Sequence, residues 1–365
     1  MSRTSRAVRR ELPAAPDGVP AAPDGAPAAP GGVPAVLARA RALVLPEIRR
    51  RVEGLSPEVR RVAAYHLGFV DAVGRPVPGG SGKAVRPALV VLSAEAAGAD
   101  AGVALPGAVA VELVHNFSLL HDDVMDGDDE RRHRPTAWAL FGVGPAIIAG
   151  DALLALAMQG LLDAPDGPRR RAASDLLGAT LGMIAGQGED LAFAERLDVS
   201  VEDCVTMSAH KTGALLACAA SIGAVLAGAP GEIVEALSSF GMHLGLAFQA
   251  IDDVLGIWGR AAVTGKPAAS DLREHKKSLP VAFALSTPGP ARDRLAKLMS
   301  NGHVEGDALA SAARLVERSG ARERCLAVAE RELALALRSI DGPWIEAAAR
   351  AELEELARFV TAREF

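Results

Sequence analysis

Six acidic residues lie within nine positions, from Asp122 to Glu130, where an apolar and helix-like run ends. Asp122 and Asp126 are four residues apart, so on a helix they share one face, one turn apart. Two carboxylates at this spacing repel each other unless a cation lies between them, and ligands made only of oxygen favour magnesium or calcium over zinc. The pattern therefore predicts a site for a hard cation, and the alternative is a solvated acidic helix end.

A second acidic pair, Asp252 and Asp253, ends another apolar run, and Gln249 lies one helical turn before it. Carboxylates in apolar surroundings need a partner, so two such pairs are poorly explained as solvated surface. We therefore expect the two helices to face each other across a cavity that holds metal ions.

Basic residues are distributed to match the acidic pairs. The glycine-rich segment 79–87 contains Lys83 and Arg86, which are three apart and could grip a phosphate group. His115 lies seven residues before Asp122, on nearly the same helix face. Further cations are Arg131, Arg132, Lys211, Lys266, Lys276 and Lys277. Metal ions and cations in one cavity favour a ligand more negative than a single carboxylate, and diphosphate is the candidate.

The elements that must position these side chains read as helices. Ser56 before Pro57, and Ser200 three residues before Asp203, are typical helix starts. Alternating, β-branched runs bounded by tight turns are absent from the sequence. The sequence predicts an all-α protein with roughly a dozen helices. No linker divides residues 35–365, so we expect one domain there.

Composition narrows the functional class. The chain has 365 residues, half of them hydrophobic, which suffices for a large core, and its net charge of −6 argues against nucleic acid as a partner. Cys204, Cys218 and Cys325 are odd in number and lack metal-ligand spacing, which fits a reducing cytoplasm. The longest uncharged stretch, residues 212–229, is rich in small residues and predicts a buried helix. We therefore expect a cytoplasmic protein with no transmembrane segment.

Residues 1–34 differ from the rest of the chain. After a basic start, a seven-residue unit with two prolines occurs three times within residues 13–33. Proline excludes a helix with this period, so we expect a disordered arm rich in Ala, Pro and Gly. The arm is either a passive tail or a segment that docks to another protein.

Together, these residues resemble the motifs of a trans-isoprenyl diphosphate synthase of the polyprenyl synthetase family, over residues 36–365. Asp122-Asp123-Val-Met-Asp126 resembles the first aspartate-rich motif of the family. Gly82-Lys83-Ala-Val-Arg86-Pro87 with His115 resembles its isopentenyl diphosphate site, and Arg131-Arg132 resembles its arginine pair. The remaining matches follow in family order: Gln187 with Asp190-Leu191, Lys211-Thr212, Gln249 with Asp252-Asp253, Lys266, and Asp271-Leu272 with Lys276.

The resemblance implies a large helical bundle of the isoprenoid synthase type around a central apolar cavity. It also implies a magnesium-dependent, head-to-tail condensation of isopentenyl diphosphate with an allylic diphosphate, by a protein that is typically a homodimer. In such an enzyme Asp122 and Asp126 would hold two magnesium ions and Asp252 a third.

The same resemblance assigns the other site residues. Isopentenyl diphosphate would be held by Lys83, Arg86, His115 and Arg132. Charge on the leaving diphosphate would be stabilised by Arg131, Lys211 and Lys266. Further substrate-binding residues would be Thr212, Gln249 and Lys276. The departing diphosphate would accept the proton, so no protein base is expected.

Product length is predicted from Phe117, which lies five residues, or about 7–8 Å, before Asp122 on the helix. It could form the floor of the product pocket. One aromatic residue there, with the small Ser118 beside it, resembles enzymes that stop near geranylgeranyl diphosphate. Farnesyl diphosphate is the alternative product.

Three positions depart from the family pattern: Gly256 replaces the third aspartate of the second motif, Ser278 replaces a threonine and His275 replaces a glycine. Gly256 leaves Asp252 as the main ligand for the third metal.

Three other functions were weighed against this one. A terpene cyclase shares the bundle but would carry an Asn/Ser/Glu metal triad and would not need Lys83, Arg86 and His115. A non-catalytic partner subunit would usually lose one acidic motif. The arm also resembles segments that load bacterial enzymes into protein shells, which would place the protein inside a nanocompartment in addition to its catalysis.

Overall fold

The computed structural model describes residues 32–78, 80, 82–164, 166–259, 269–300 and 304–362. This part of the chain is mostly helical and has very little β-structure, which confirms the all-α prediction. Its helices are α1 (Val33–Glu53), α2 (Pro57–His66), α3 (Val85–Ala96), α4 (Leu105–Asp126), α5 (Ala137–Phe141), α6 (Val143–Leu162), α7 (Gly167–Phe193), α8 (Val201–Ser208), α9 (Ala214–Leu226), α10 (Gly231–Trp258), α11 (Ser270–Arg273), α12 (Leu279–Ser286), α13 (Pro290–Ser300), α14 (Gly306–Arg318), α15 (Ala321–Ser339) and α16 (Ala347–Thr361).

Three short elements interrupt the helices. A 3-10 turn, Ala101–Ala104, precedes α4, and a π-helical segment, Ala209–Gly213, joins α8 to α9. Two strands of two residues each, β1 (Glu130–Arg131) and β2 (Arg134–Pro135), form an antiparallel hairpin directly after α4. The described part has more helices than the dozen expected, because very short ones such as α5 and α11 give little signal in sequence.

Local sequence explains where several helices begin. Ser200 accepts a hydrogen bond from the backbone N–H of Asp203, whose side chain accepts one from the backbone N–H of Ser200, at 3.0 and 2.9 Å. This reciprocal capping box satisfies two N–H groups at the start of α8 and confirms the predicted start. Asp166 caps α7 in the same manner by accepting from Arg169 N at 2.8 Å.

The long helices surround a shared core. Helix α4 packs along α6, α3 and α9, while α10 packs along α9 and α15. The contact of α3 with α9 is close because position 223 is glycine: a Cβ there would lie 2.8 Å from Ala94 N. All three cysteines are buried and free, as the sequence predicted.

Within the described residues, three helical stretches are long and apolar enough to cross a membrane, by length and composition alone: Ala101–Asp126, Val143–Leu162 and Val201–Leu226. The buried share of their apolar windows inside the protein is 61%, 39% and 67%. Helix α9, in the last stretch, is buried along nearly its whole length, which confirms the predicted buried helix. The absence of a transmembrane segment stays a prediction.

The predicted domain boundary falls near the start of the described chain. Helix α1 begins at Val33, two residues before the expected start of the domain at residue 35. Residues 1–31 of the predicted arm lie outside the described residues, so its disorder stays a prediction.

Candidate active site

A cavity of about 1210 Å³ opens between the long helices. It is lined by most of the residues that the sequence singled out: Lys83, Arg86, His115, Phe117, Ser118, Asp122, Asp126, Arg131, Arg132, Lys211, Thr212, Gln249 and Asp252. Pockets for one small ligand hold about 300–1,000 Å³, so this cavity has room for two substrates. The predicted Lys266 lies outside the described residues.

The acidic residues in the last turn of α4 point in two directions. Asp122 and Asp126 line the cavity, whereas Asp123 is 1% exposed and accepts a hydrogen bond of 2.6 Å from Nε of Arg131. Burial raises the pKa of Asp122 to about 6, an increase that nearby Lys211 opposes and Asp126 reinforces. Asp123 therefore holds Arg131 in place, and Asp122, buried near a second carboxylate, is suited to a bound cation.

The second acidic pair repeats this arrangement on α10. Asp252 lines the cavity, while Asp253 accepts hydrogen bonds from Gln249 Nε2 at 2.8 Å and from the backbone N–H of Leu279 at 2.9 Å. Thr212 Oγ1 donates to Gln249 Oε1 at 2.7 Å, which extends the chain of hydrogen bonds to the π-helical segment. Burial raises the pKa of Asp253 to about 7. Gln249 is thus oriented from both sides.

The cavity-facing carboxylates suit magnesium. No three His, Cys, Asp or Glu side chains in the described ranges are grouped closely enough to hold a metal by themselves. Magnesium is usually held by one or two carboxylates together with substrate phosphates, and it needs no complete cage of protein ligands. The oxygen donors of Asp122, Asp126 and Asp252 fit that role, and Asp126 also lies 3.4 Å from Nζ of Lys276.

The predicted isopentenyl diphosphate site lies at the junction of α3 and α4. Nη1 of Arg86 is 3.3 Å from Nε2 of His115, and Nε of Arg86 is buried with no hydrogen-bond partner among the described residues. Burial, and then the charge of Arg86, hold the pKa of His115 well below its usual range, so the ring is neutral and its Nε2 accepts from Arg86. The buried donor of Arg86 is suited to an anionic ligand.

Glu112 is a site residue that the sequence reasoning missed. It lines the cavity three residues before His115 and accepts from Nδ2 of Asn116 at 3.3 Å. Burial raises its pKa, against the opposing charge of Arg86. Glu112 is three residues before His115, so the two lie on the same helix face. This spacing is the sequence feature that could have identified Glu112 as a site residue.

The β1–β2 hairpin places the arginine pair. Arg132 and His133, at its turn, have φ of 53° and 58°, so the chain reverses within two residues. Arg131 turns toward Asp123, and Arg132 lies over the loop before α3: a Cβ at Gly82 would be 3.2 Å from its Nη1. The sequence identified both arginines but not the hairpin.

The π-helical segment brings Lys211 and Thr212 to the cavity together. Wider π turns are common at functional sites, and here two consecutive side chains line the same wall. Nζ of Lys211 donates to Oδ2 of Asp190 at 2.5 Å. Helix α7 approaches this segment closely because position 186 is glycine: a Cβ there would be 2.8 Å from Cα of Lys211.

The apolar part of the cavity passes Phe117. Phe117 is 7% exposed and its ring stands edge-on to His121, with the ring centres 4.8 Å apart. Ser118 beside it donates to its own helix, to the carbonyl of His115, at 2.9 Å. The cavity continues between α6, α7, α9 and α10, where it is lined by Leu154, Met183, Leu215, Leu216 and Leu244.

The three departures from the family pattern have local consequences. The space that a side chain at Gly256 would need contains the carboxylate of Asp271. His275 has φ of 56°, a conformation that glycine adopts most easily, and its Nδ1 lies 3.0 Å from the carbonyl of Met299. Ser278 precedes α12, and its buried hydroxyl has no hydrogen-bond partner among the described residues.

Comparisons with known proteins find a family and several relatives that are similar to this chain. A family profile described as Polyprenyl synthetase matches residues 71–316. The chain is 48% identical over 334 residues to the (2E,6E)-farnesyl diphosphate synthase of Mycobacterium tuberculosis strain H37Rv, covering 90% of this chain and 93% of that protein. It is 46% identical over 264 residues to a geranylgeranyl diphosphate synthase of the same organism, covering 72% and 75%.

A solved structure is similar over nearly the same length. The polyprenyl synthetase from Streptomyces coelicolor A3(2) superposes with a TM-score of 0.85 at 48% identity. The match covers 90% of this chain and all of the other. The similarity therefore includes the fold over nearly the whole described chain.

Proposed function

This chain belongs to the polyprenyl synthetase family, and on that premise we propose that it extends an allylic diphosphate with isopentenyl diphosphate and stops at geranylgeranyl diphosphate. It is a short-chain prenyl diphosphate synthase, and so a prenyltransferase. One observation carries the proposal: three carboxylates from α4 and α10 line the same cavity as the cations and several apolar side chains.

The carboxylates are proposed to bind magnesium. Asp122 and Asp126 would hold two ions and Asp252 a third, in contact with the allylic diphosphate. Bound there, magnesium supplies Lewis-acid stabilisation of the charge on a leaving diphosphate. Arg131, held by Asp123, and Lys211, held by Asp190, would bind the same diphosphate. Lys266 is proposed for this role by resemblance alone.

The other end of the cavity is proposed to bind isopentenyl diphosphate. Lys83, Arg86 and Arg132 supply positive charge, and neutral His115 orients Arg86. The double bond of this substrate attacks the allylic carbon, and the proton that is lost goes to the departing diphosphate. The remaining substrate-binding residues are Thr212, Gln249 and Lys276. An apolar wall excludes water that would otherwise capture the allylic cation.

The twenty-carbon product is proposed from the resemblance at Phe117, an aromatic residue with the small Ser118 beside it. Both residues line the cavity, together with apolar side chains that include Leu154 and Leu216. Farnesyl diphosphate is the second candidate, because relatives that are 48% identical are named farnesyl diphosphate synthases.

Product chromatography tests the two candidates. The protein is incubated with magnesium, radiolabelled isopentenyl diphosphate and each of dimethylallyl, geranyl and farnesyl diphosphate in turn. Conversion of farnesyl diphosphate to a twenty-carbon product supports the proposal. Accumulation of the fifteen-carbon product, with no turnover of farnesyl diphosphate, supports the alternative. The terpene cyclase alternative would instead give a hydrocarbon or an alcohol and is not favoured by the relatives.

We also infer that the protein acts as a homodimer that associates through α6 and α7. Helix α7 exposes Leu177, Leu181 and Ile184 at 46%, 67% and 49%, and Ile148 of α6 is 55% exposed. Exposed apolar side chains at helical spacing typically mark protein contacts. Leu181→Glu should give monomers in sedimentation, while Val73→Glu, at another exposed site, should leave the dimer intact. Monomeric wild-type protein would contradict this inference.

The arm is proposed to dock the enzyme to a protein shell or partner in the cytoplasm. Removal of residues 1–31, which leaves α1 intact, should keep turnover and abolish co-purification with that shell or partner. Equal co-purification of the full-length and shortened proteins would contradict docking. We expect no nucleic acid to bind, because the net charge is −6.

A further inference from the structure

The loop before α3 is held from outside the cavity by a residue of α1. Nη1 of Arg41 donates to the carbonyl oxygen of Gly82 at 2.8 Å, and its Nη2 donates to the carbonyl oxygen of Gly80. Arg41 is not among the described residues that line the cavity. Its guanidinium therefore acts on the backbone of the loop.

Two further residues on the same face of α1 support this segment. Leu45 lies one turn after Arg41, and a Cβ at Gly80 would be 3.1 Å from its Cδ2. Arg49 lies one turn further on, with its guanidinium carbon 4.3 Å from the ring centre of Phe69. Residues at a spacing of four share a helix face, so Arg41, Leu45 and Arg49 lie on one face of α1, against the loop and Phe69.

The loop needs such support because its backbone is unusual on both sides of Lys83. Gly82 has φ of 99°, and Ala84 has φ of 58° although it carries a side chain. Left-handed conformations are unfavourable for residues other than glycine, so neighbouring contacts must stabilise this one. Lys83 lies between these two residues, so its position depends on their backbone conformation.

Gly82 also contacts the second cation of the predicted isopentenyl diphosphate site. A Cβ at position 82 would lie 3.2 Å from Nη1 and 3.5 Å from Nη2 of Arg132. A shift of Gly82 would therefore change the positions of Lys83 and Arg132 together. Arg41 holds the carbonyl of this same residue.

We propose that Arg41 is a positioning residue for the isopentenyl diphosphate site: by holding Gly82, it sets the spacing of Lys83 and Arg132. The inference rests on the proposed function of these two cations. It predicts a selective effect, because Asp122, Asp126 and Lys211 lie on α4 and on the π-helical segment, whereas both hydrogen bonds of Arg41 go to the loop before α3.

The test compares Arg41→Met with Arg50→Met, a substitution on the same helix. Arg50 pairs with Glu47 at 2.6 Å and its side chain is 65% exposed, so its loss should change neither substrate. Arg41→Met should raise the KM for isopentenyl diphosphate about tenfold, which is the usual effect of losing a charged hydrogen bond. The KM for the allylic diphosphate should change less than about twofold.

A binding measurement separates this inference from the proposed function. Calorimetry with isopentenyl diphosphate alone, without allylic substrate, should show binding to wild-type protein and about tenfold weaker binding to Arg41→Met. Arg41→Lys keeps the charge but has all of its donors on one nitrogen, so its affinity should fall between the two, which also covers failure of the Met variant to fold. Equal binding by wild type and both variants overturns the inference alone. Absence of binding by wild type overturns the proposed function as well.

Discussion

The carboxylate of Asp271 lies where a side chain at position 256 would point. A Cβ built on Gly256 would be 2.5 Å from Cγ of Asp271, closer than two such atoms can approach. Gly256 is the position at which the family pattern has the third aspartate of its second motif. In this chain, the carboxylate of Asp271, from α11, lies in the space beside position 256.

Restoring the family aspartate should therefore destabilise the protein. Gly256→Asp should lower the free energy of unfolding by about 1–3 kcal/mol, because the new side chain overlaps Asp271 and adds a like charge. The double variant Gly256→Asp/Asp271→Gly should recover most of this loss, measured by denaturant unfolding. A single variant as stable as wild type would show that Asp271 moves freely.

Loss of either cavity-facing carboxylate on α4 should remove turnover. Asp122→Asn and Asp126→Asn keep the side-chain shape but remove the charge that the metal needs, so the rate should fall by at least about 10²–10³-fold. Magnesium-dependent incorporation of labelled isopentenyl diphosphate measures this. Asp129→Asn is the matched control, since Asp129 is exposed and does not line the cavity. Near-normal turnover in both cavity variants would contradict the assigned role.

Two substitutions at the pocket wall should shift product length in opposite directions. Phe117→Ala removes a ring that narrows the apolar pocket and should lengthen the product. Ser118→Phe adds a ring at the adjacent lining position and should shorten it. Chromatography of the products after equal conversion measures both. If neither profile changes, the floor of the pocket lies elsewhere.

His66 should make stability sensitive to mild acid. Burial, and then the charges of Arg131 and Arg132, lower its pKa to about 3. Between pH 6.5, the ordinary pKa, and pH 3, the unfolded chain binds a proton at His66 and the folded protein does not. The free energy of unfolding is therefore unaffected by His66 above pH 6.5 and decreases as the pH falls toward 3. The loss at pH 5 should be up to about 2 kcal/mol. His66→Gln should unfold with a smaller difference between pH 7 and pH 5; an equal difference would assign the acid sensitivity to other groups.

Two glycines of α7 should respond oppositely to the same substitution. Gly186→Ala should displace Lys211 and lower kcat, because the added Cβ would be 2.8 Å from Cα of Lys211. Nothing lies within 4 Å of a Cβ at Gly178, so Gly178→Ala should stabilise the helix by about 0.5–1 kcal/mol and leave kcat unchanged. Thermal unfolding and initial rates distinguish the two. Full activity of Gly186→Ala would mean that the π-helical segment adjusts without cost.

The sequence identified the residues that line the cavity better than it predicted the contacts that position them. The i, i+4 spacing of Asp122 and Asp126 was sufficient to place both on one helix face, and the structure has them lining one cavity. The roles of Asp123 and Asp253 could not be predicted, because their partners Arg131 and Leu279 are set by a hairpin and by a helix start distant in sequence. Glu112 was missed, although its spacing of three from His115 places both on the same helix face.

Two elements of the site have no local signal in the sequence. The hairpin rests on positive φ angles at Arg132 and His133, residues whose types do not indicate such a turn. The π-helical segment depends on tertiary contact with α7 at Gly186, and no local propensity encodes it. Long helices with capping signals, such as α8 after Ser200, were correctly predicted because their signals are local.

Each acidic pair separates into one residue that faces the cavity and one that faces the protein. Asp122 and Asp252 line the cavity, while Asp123 and Asp253 accept hydrogen bonds from Arg131 and from Leu279. Adjacent positions in the sequence thus have different partners: on the proposed function the first would match an ion, whereas the second matches its own neighbours. A correctly folded protein without turnover is therefore expected when only the first member of a pair is changed.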